Sequence, residues 1–155
     1  MNALSTRLAA PDDLATLAAL FDAYRQFYQQ APDLPRATQF IADRLHDRQS
    51  ILLVATATDD SATQPLLGFC QIYPSFCSIL AQPIYILSDL YVTPAARRSG
   101  AGRQLLLGAG AHARQHGVAR LDLTTARSNQ AAQALYESLG WKRDHIFLAY
   151  SRSVA

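Results

Sequence analysis

Residues 84–113, IYILSDLYVTPAARRSGAGRQLLLGAGAHA, decide the fold of this chain. The first ten are rich in β-branched and aromatic residues, which predicts a strand over 84–93 that Pro94 ends. The apolar pattern of QLLLGAGAHA is typical of a helix, predicted over 100–116. The turn between them, PAARRSGAGR (94–103), is rich in glycine and arginine, and a glycine-rich turn before a helix often binds phosphate.

Three kinds of phosphate-binding turn compete for this stretch, and the residues separate them. A P-loop has a lysine and then serine or threonine after its second glycine, whereas this chain has Arg-Gln there. A dinucleotide fingerprint has a third glycine where this chain has Leu105, and it follows the first strand of a βαβ unit. The third pattern, R-x-x-G-x-G, is in register at Arg97, Gly100 and Gly102. The turn alone also leaves a structural alternative, in which small residues only let the helix pack closely against the strand.

The rest of the pattern predicts a mixed α/β domain built on a central sheet. Apolar runs predict further strands at 4–9, 51–57, 66–73, 118–126 and 141–150, and helical spacing predicts helices at 11–29, 36–47 and 129–139. A hairpin loop is expected at 59–65 and an irregular segment at 74–83. The order is strand, two helices, three strands, helix, strand, helix, strand.

The composition is that of one globular domain. The chain has 155 residues, of which 50% are apolar and 17% charged. Its 14 basic residues are scattered, which disfavours nucleic-acid binding, and their tight cluster is Arg97, Arg98 and Arg103. Cys70 and Cys77 lie among apolar residues, so buried free thiols are predicted rather than a disulfide framework.

Metal binding, secretion and membrane insertion are not indicated. The histidines and cysteines have no spacing typical of a metal site. The N-terminus has no signal-peptide pattern, and no apolar run reaches membrane-spanning length. We therefore expect a cytoplasmic protein that binds neither a membrane nor nucleic acid.

Two motifs give the chain a specific resemblance. The segment LYVTPAARRSGAGRQLL (90–106) resembles the acetyl-CoA-binding motif of the GNAT superfamily of N-acetyltransferases, and NQAAQALYESLGW (129–141) resembles its second signature. IYILSDLYV and GFCQIYPSF are most similar to the diamine (spermidine/spermine) acetyltransferase branch and related histone or polyamine acetyltransferases. The resemblance implies one GNAT domain over 1–155, with a mostly antiparallel twisted sheet of six to seven strands flanked by about four helices.

The resemblance also implies a donor site for acetyl-CoA. The backbone N–H groups at the helix start would bind the pyrophosphate, and the arginines would add charge. The strand before the turn would pair with the pantetheine arm, which one of its N–H groups assists by polarising the thioester carbonyl. The implied donor residues are Leu90, Tyr91, Val92, Arg97, Arg98, Ser99, Gly100, Ala101, Gly102, Arg103, Asn129 and Tyr136. Asn129 fits a plain helix cap as well.

Two residues are candidates for the chemistry. By resemblance, Tyr136 protonates the leaving thiolate; its alternative is a packed core tyrosine. Asp89 interrupts an apolar strand, where a buried acid needs a reason, and is the candidate general base. In the diamine acetyltransferase pattern an acidic pair stands here, and its first member is Ser88 in this chain. Asp89 alternatively binds the cationic group of the substrate or a structural partner.

The acceptor is expected to be a primary amine. Tyr24, Phe27, Tyr28 and Tyr73, with Asp89, are the predicted acceptor wall, since aromatic faces suit an ammonium group. A small polyamine-like amine is the first candidate, and a protein lysine or N-terminus is the second. The alternative of another class is a non-catalytic domain that senses acyl-CoA. The resemblance also allows a homodimer.

Overall fold

The computed structural model describes residues 3–58 and 64–155, so most of the predicted hairpin loop at 59–65 lies outside the described residues. The chain divides into two compact units, Met1–Leu123 and Thr124–Ala155. The elements are β1 (Ala3–Leu8), α1 (Leu14–Phe27), α2 (Leu34–Asp47), β2 (Ile51–Thr58), β3 (Leu66–Cys77), β4 (Gln82–Val92), α3 (Ala101–Gln115), β5 (Leu121–Asp122) and α4 (Gln130–Ser138), with short 3-10 helices at Pro11–Asp13 and Pro94–Ala96.

The sheet confirms the predicted mixed α/β class and its mostly antiparallel character. Its strand order is β1-β2-β3-β4-β5. Neighbours from β1 to β4 pair antiparallel, and β5 pairs with β4 in parallel at Tyr85 and Ile86. About four helices were expected, and α1 to α4 confirm this number in the described residues. None of these helices is long and apolar enough to cross a membrane.

The expectation of six to seven strands is wrong for the described part of the chain, which has five. Of the strand predicted over 118–126, Leu121–Asp122 forms β5, and residues 141–155 form no strand. The apolar run at 146–148 favours a strand, but a strand also needs a partner edge. Here the Asp144 carboxylate accepts the N–H groups of Ile146 at 2.8 Å and Phe147 at 3.4 Å, which is a local turn interaction.

The segment predicted to be irregular at 74–83 is mostly strand, which is a second correction. β3 runs to Cys77 and β4 begins at Gln82, so the two strands form one long hairpin. A tight turn joins them, with the Ala81 N–H donating to the Ser78 carbonyl at 3.1 Å. Pro74 is accommodated because, within the described residues, β3 pairs beyond Ile72 with β4 alone, and proline is tolerated at such an edge.

Helices cover both faces of the sheet in the first unit. One buried cluster joins α1 and α2 to the sheet, namely Leu17, Phe21, Ala37, Ile41, Leu52, Val54, Leu66 and Phe69. The helix α3 lies on the other face, where a Cβ added at Gly108 would contact the side chains of Thr6 and Leu53. Because strand side chains alternate between faces, Leu53 points away from the cluster that contains its neighbours Leu52 and Val54.

The N-terminus of α2 is fixed by its own sequence. The Asp33 side chain accepts the Arg36 N–H at 3.1 Å and caps the helix. Pro35 stands in the first turn, where its missing N–H has no intrahelical acceptor to lose. The Asp33 N–H also donates to the Asp22 carboxylate of α1 at 3.0 Å, which holds the start of α2 close to α1.

Gly68 allows β3 and β4 to approach each other closely. A Cβ at this position would overlap the Tyr91 carbonyl oxygen and lie 3.1 Å from the Val92 Cα. We predict that Gly68→Ala lowers the free energy of unfolding by about 1–3 kcal/mol, the usual cost of overpacking, measured by urea denaturation.

The matched control is Gly110→Ala, because a Cβ there would come no closer than 3.6 Å to Arg114. That variant is expected to be as stable as the wild type or more stable, since alanine favours a helix. A Gly68→Ala protein with wild-type stability would contradict the packing argument.

Candidate active site

One side of β4 has no partner strand along residues 87–92 in the described part of the chain. On its other side β4 pairs with β3 from Gln82 to Val92. Toward β5 it pairs only at Tyr85 and Ile86, and no other strand of the described residues pairs with it there. We call the free side of residues 87–92 the open edge; an extended, amide-rich ligand can add to such an edge like a further strand.

The open edge offers the N–H groups of alternate residues. Thr93 donates its N–H to the Leu67 carbonyl of β3 at 2.9 Å. In an antiparallel pair the residues alternately point toward and away from the partner strand. Tyr91 therefore points its N–H toward β3, while Leu90 and Val92 point theirs toward the open edge. Of the three backbone positions predicted for the donor, Leu90 and Val92 have this orientation and Tyr91 does not.

The turn after β4, residues 97–103, has the backbone expected of a phosphate-binding helix start, and we call it the donor turn. Gly100 is the N-cap of α3 with φ of 97°, a region that favours glycine. The N–H groups of Gly102 and Arg103 lie in the first helical turn, where an α-helix supplies no acceptor. Ser99 stabilises the turn, since its hydroxyl donates to the Ala96 carbonyl at 2.6 Å.

The three clustered arginines lie at the surface around this turn. Arg97, Arg98 and Arg103 are all exposed. Arg98 has φ of 64°, an uncommon backbone for a residue with a side chain. Arg97 places its Nε 3.4 Å from the Val92 carbonyl oxygen and its guanidinium 6.0 Å from the Phe27 ring centroid. The donor turn therefore combines helix-start N–H groups with positive charge, which fits a pyrophosphate group.

A bulge in β4 directs Asp89 toward α1. The register pairs Gln71 with Asp89 and Ile72 with Leu87, so Ser88 is an extra residue. Because side chains alternate along a strand, this insertion puts Leu87 and Asp89 on opposite faces of the sheet. Leu87 is 3% exposed in the core, whereas Asp89 faces a cavity.

The Asp89 carboxyl is held by two hydrogen-bonding side chains. Gln71 donates its Nε2 to Oδ2 at 2.6 Å, and Ser50 in turn donates to the Gln71 Oε1 at 2.9 Å. The Tyr24 hydroxyl donates to the Ser88 carbonyl oxygen at 3.2 Å and is close enough to the Asp89 carboxyl to lower its pKa. Burial raises the pKa of Asp89 above its ordinary value, and the bonds from Gln71 and Tyr24 offset part of this increase.

Asp89 lines a cavity of about 250 Å³, the acceptor cavity. Its other strand residue is Tyr73, and its helical wall comes from α1 and α2. The lining residues from these helices are Phe21, Tyr24, Arg25, Arg36 and Phe40. The Phe21 and Phe40 rings are stacked with centroids 5.2 Å apart, so the wall is a packed aromatic surface.

The structure brings together three of the five residues predicted for the acceptor wall. Tyr24, Tyr73 and Asp89 line the acceptor cavity. Phe27 and Tyr28 do not; they lie at the end of α1, 49% and 41% exposed, with ring centroids 5.2 Å apart. Any contact of these two rings with an acceptor stays a prediction.

Four functional candidates were missed from the sequence. Gln71 is fully buried within an apolar strand, and that polar residue in an apolar run was the available signal. Arg25, Arg36 and Phe40 have no local signal, because α1 and α2 present ordinary amphipathic patterns. Their approach to Asp89 depends on how the helices pack on the sheet.

The cysteines differ in their surroundings. Cys70 is fully buried, and burial raises the pKa of its thiol well above the usual range. Cys77 is partly exposed, so the prediction of a buried thiol is correct only for Cys70. Both are free thiols, as predicted.

The second unit holds the two predicted residues of the later motif. Asn129 caps α4, since its Oδ1 accepts the Ala132 N–H at 3.2 Å. Tyr136 lies two turns further along α4, is half-buried, and has its ring centroid 6.0 Å from that of Trp141. The cap is therefore present, and a donor contact of Asn129 or a catalytic role of Tyr136 stays a prediction.

The open edge, the donor turn and the cavity beside Asp89 lie on or next to β4, which is the arrangement that the resemblance implies for an acetyltransferase. Residues 17–141 match the Acetyltransferase (GNAT) family, and the chain belongs to this family. The predicted superfamily is therefore confirmed, and the protein is an N-acetyltransferase. Acetyl-CoA is the usual donor of the family.

Three proteins are similar to this chain over nearly its full length. An uncharacterised N-acetyltransferase of Bacillus subtilis, YhfO, is 40% identical over 151 residues, which are 97% of this chain and 98% of that protein. The crystal structure of a probable acetyltransferase has a TM-score of 0.87 at 35% identity and covers 97% of both chains. A possible acetyltransferase from Clostridium difficile has a TM-score of 0.80 at 18% identity over 98% of this chain and 99% of that one, which shows the fold alone.

The variant Gly100→Ala tests whether the donor turn binds coenzyme A. The Gly100 φ of 97° is costly for a residue with a Cβ, so Gly100→Ala strains or shifts the start of α3. We predict that the Kd for coenzyme A rises about tenfold, which corresponds to about 1.4 kcal/mol, measured by calorimetry.

The matched control is Gly117→Ala, at φ of 66° just after α3 with no atom within 4 Å of the added Cβ. Both variants lose stability through backbone strain, but only Gly100→Ala is expected to weaken coenzyme A binding. Equal Kd values for the two would remove the donor turn from the binding site.

Proposed function

We propose that the protein transfers an acetyl group from acetyl-CoA to a small primary amine in the acceptor cavity, by direct attack of the amine. The observation that carries this proposal is the position of two consecutive residues. Asp89 lines the acceptor cavity, and the next residue, Leu90, points its N–H toward the open edge. A proton acceptor for the amine and a hydrogen-bond donor for the carbonyl oxygen thus stand side by side on β4.

The residues of the first unit fit the donor. Acetyl-CoA supplies an acetyl thioester, and its amide-rich arm and pyrophosphate match the open edge and the donor turn. The N–H groups of Leu90 and Val92 are placed to bind that arm, and one of them to stabilise negative charge on the thioester oxygen. Gly102 and Arg103 offer N–H groups to the pyrophosphate, with the arginines as counter-charges.

Asp89 is proposed as the general base. An amine attacks only when it is neutral, so its ammonium form must first lose a proton. A carboxylate with a raised pKa is a better proton acceptor than an exposed one. With Ser88 in place of a second acid, Asp89 performs this step with the support of Gln71 and Tyr24.

Tyr136 is proposed as the general acid on the strength of its motif. It stands seven residues after Asn129 in the second signature. A phenol that donates its proton to the leaving thiolate would complete the transfer without a covalent enzyme intermediate.

The base is tested with Asp89→Asn. We predict that kcat falls about 10²- to 10⁴-fold, measured as thiol release from acetyl-CoA with a saturating amine. In the wild type only the ionised carboxylate accepts a proton, so kcat rises with pH through the raised pKa of Asp89. The variant is expected to lose this acidic limb of the pH profile.

Stability provides the control for the same variant. The folded pKa of Asp89 is raised, so stability is lost as pH rises from the unfolded pKa through the folded one. At neutral pH the buried charge destabilises the protein, and Asp89→Asn is expected to have a Tm equal to or above that of the wild type. Wild-type kcat in a folded Asp89→Asn protein would exclude Asp89 as the base.

The acid is tested with Tyr136→Phe, which removes only the hydroxyl. We expect kcat to fall about 10²-fold or more while the Kd for coenzyme A stays within twofold, by thiol release and calorimetry. Tyr150→Phe is the control, since Tyr150 is 90% exposed. If Tyr136→Phe turns over at the wild-type rate, its ring has a packing role only.

A further inference from the structure

The charges that line the acceptor cavity are separated. Asp89 is the acidic residue of its lining and comes from the sheet. Arg25 and Arg36 are the basic ones and come from α1 and α2. An acceptor that carries only amino groups is complementary to the Asp89 side and repelled by the arginine side.

Arg25 is fixed on the helical wall. Its Nη1 donates to the Asp22 Oδ1 at 3.1 Å, and the Arg25 and Asp22 side chains are 17% and 10% exposed. The Asp22 carboxylate also accepts the Gln26 Nε2 at 3.1 Å and the Asp33 N–H at 3.0 Å, so it is held from several directions. A guanidinium has five N–H donors, and an ion pair through one nitrogen leaves the group able to bind a second anion.

Arg36 stands at the rim of the cavity. Its side chain is 73% exposed, and its Nε lies 3.6 Å from the Asp33 Oδ2. This position is in the first turn of α2, where a positive charge opposes the helix dipole. A basic residue there contributes little to the helix, which favours a role in binding.

A third guanidinium lies behind the aromatic wall. The Arg44 Cζ is 4.4 Å from the Phe40 ring centroid, and the positive charge of Arg44 offsets part of the increase that burial causes in the pKa of Tyr73. Both Phe40 and Tyr73 line the cavity. The helical side of the acceptor cavity therefore has guanidinium groups at its rim, in its wall and behind it, of which Arg25 and Arg36 are each paired through one nitrogen with a carboxylate.

We propose that the acceptor is an amine that also carries a carboxylate, of the amino-acid class, with Arg25 and Arg36 as the carboxylate-binding residues. This inference rests on the proposed acetyl transfer. The ammonium group faces Asp89 and the tyrosines, and the carboxylate faces the arginines, whose planar fork matches a carboxylate. The polyamine-like acceptor expected from the sequence would bring further positive charges toward these arginines.

The test is a thiol-release assay with acetyl-CoA and matched acceptors. Free amino acids are compared with their amino-acid amides, which keep the side chain and amine but have no carboxylate, and with spermidine. We expect kcat/KM for the best amino acid to exceed that of its amide and of spermidine at least tenfold. Equal or faster turnover of the amide or of spermidine would overturn the carboxylate assignment and leave acetyl transfer intact.

Thiol release with none of these amines would overturn both the carboxylate assignment and the proposed function. The two failures are therefore distinct in the same assay. A second readout uses Arg36→Ala, because its exposed side chain can be removed without opening the core. We expect KM for the amino acid to rise about tenfold while KM for acetyl-CoA and kcat/KM for the amide stay within twofold.

The control is Arg114→Ala, since Arg114 is exposed near the end of α3. It is expected to change none of these constants, whereas Arg36→Lys keeps the charge and part of the preference. Unchanged KM values in Arg36→Ala would remove Arg36 from the carboxylate site.

Discussion

The position of the candidate site depends on the unequal pairing of the two sides of β4. β3 holds this strand from Gln82 to Val92, while β5 pairs only with Tyr85 and Ile86. An unpaired run of backbone N–H and C=O groups is normally blocked or covered in a native sheet. Here Thr93, a short 3-10 helix at Pro94–Ala96 and the donor turn follow it, so the exposed N–H groups and the start of α3 would form one continuous backbone surface for the proposed donor. In the proposed reaction, the donor would be bound mainly by backbone groups.

The bulge at Ser88 gives the same strand a second role. Without the extra residue, Asp89 would share the face of Leu87 and lie in the core instead of facing α1. The shift exposes the carboxyl to the acceptor cavity and keeps Gln71 opposite to it in the sheet. In the proposed function, the donor and the acceptor meet at β4 because the bulge at Ser88 changes the face to which the side chains of this strand point.

Site residues could be predicted from the sequence where residues close together in the chain form one local structure, such as a turn or a helix cap. The R-x-x-G-x-G register, the cap at Asn129 and the isolated Asp89 could each be identified for that reason. Arg25 and Arg36 could not, because they meet only when α1 and α2 pack on the sheet. The strand predicted at 141–150 failed because apolar content indicates burial or pairing without naming a partner edge. The prediction of an irregular segment at 74–83 was wrong because the pairing of β3 with β4 in this segment is a contact that local composition does not reveal.

If the backbone binds the donor and side chains bind the acceptor, as proposed, the two binding functions are encoded by different parts of the sequence. Codon changes in α1 and α2 alter the cavity lining without touching the N–H groups of β4 or the start of α3. Under the proposed function, a few substitutions in these helices would change the amine that is accepted and leave the affinity for the donor unchanged. This modular arrangement makes the pair α1 and α2 the natural segment for recombination between relatives in designing enzymes with new acceptors.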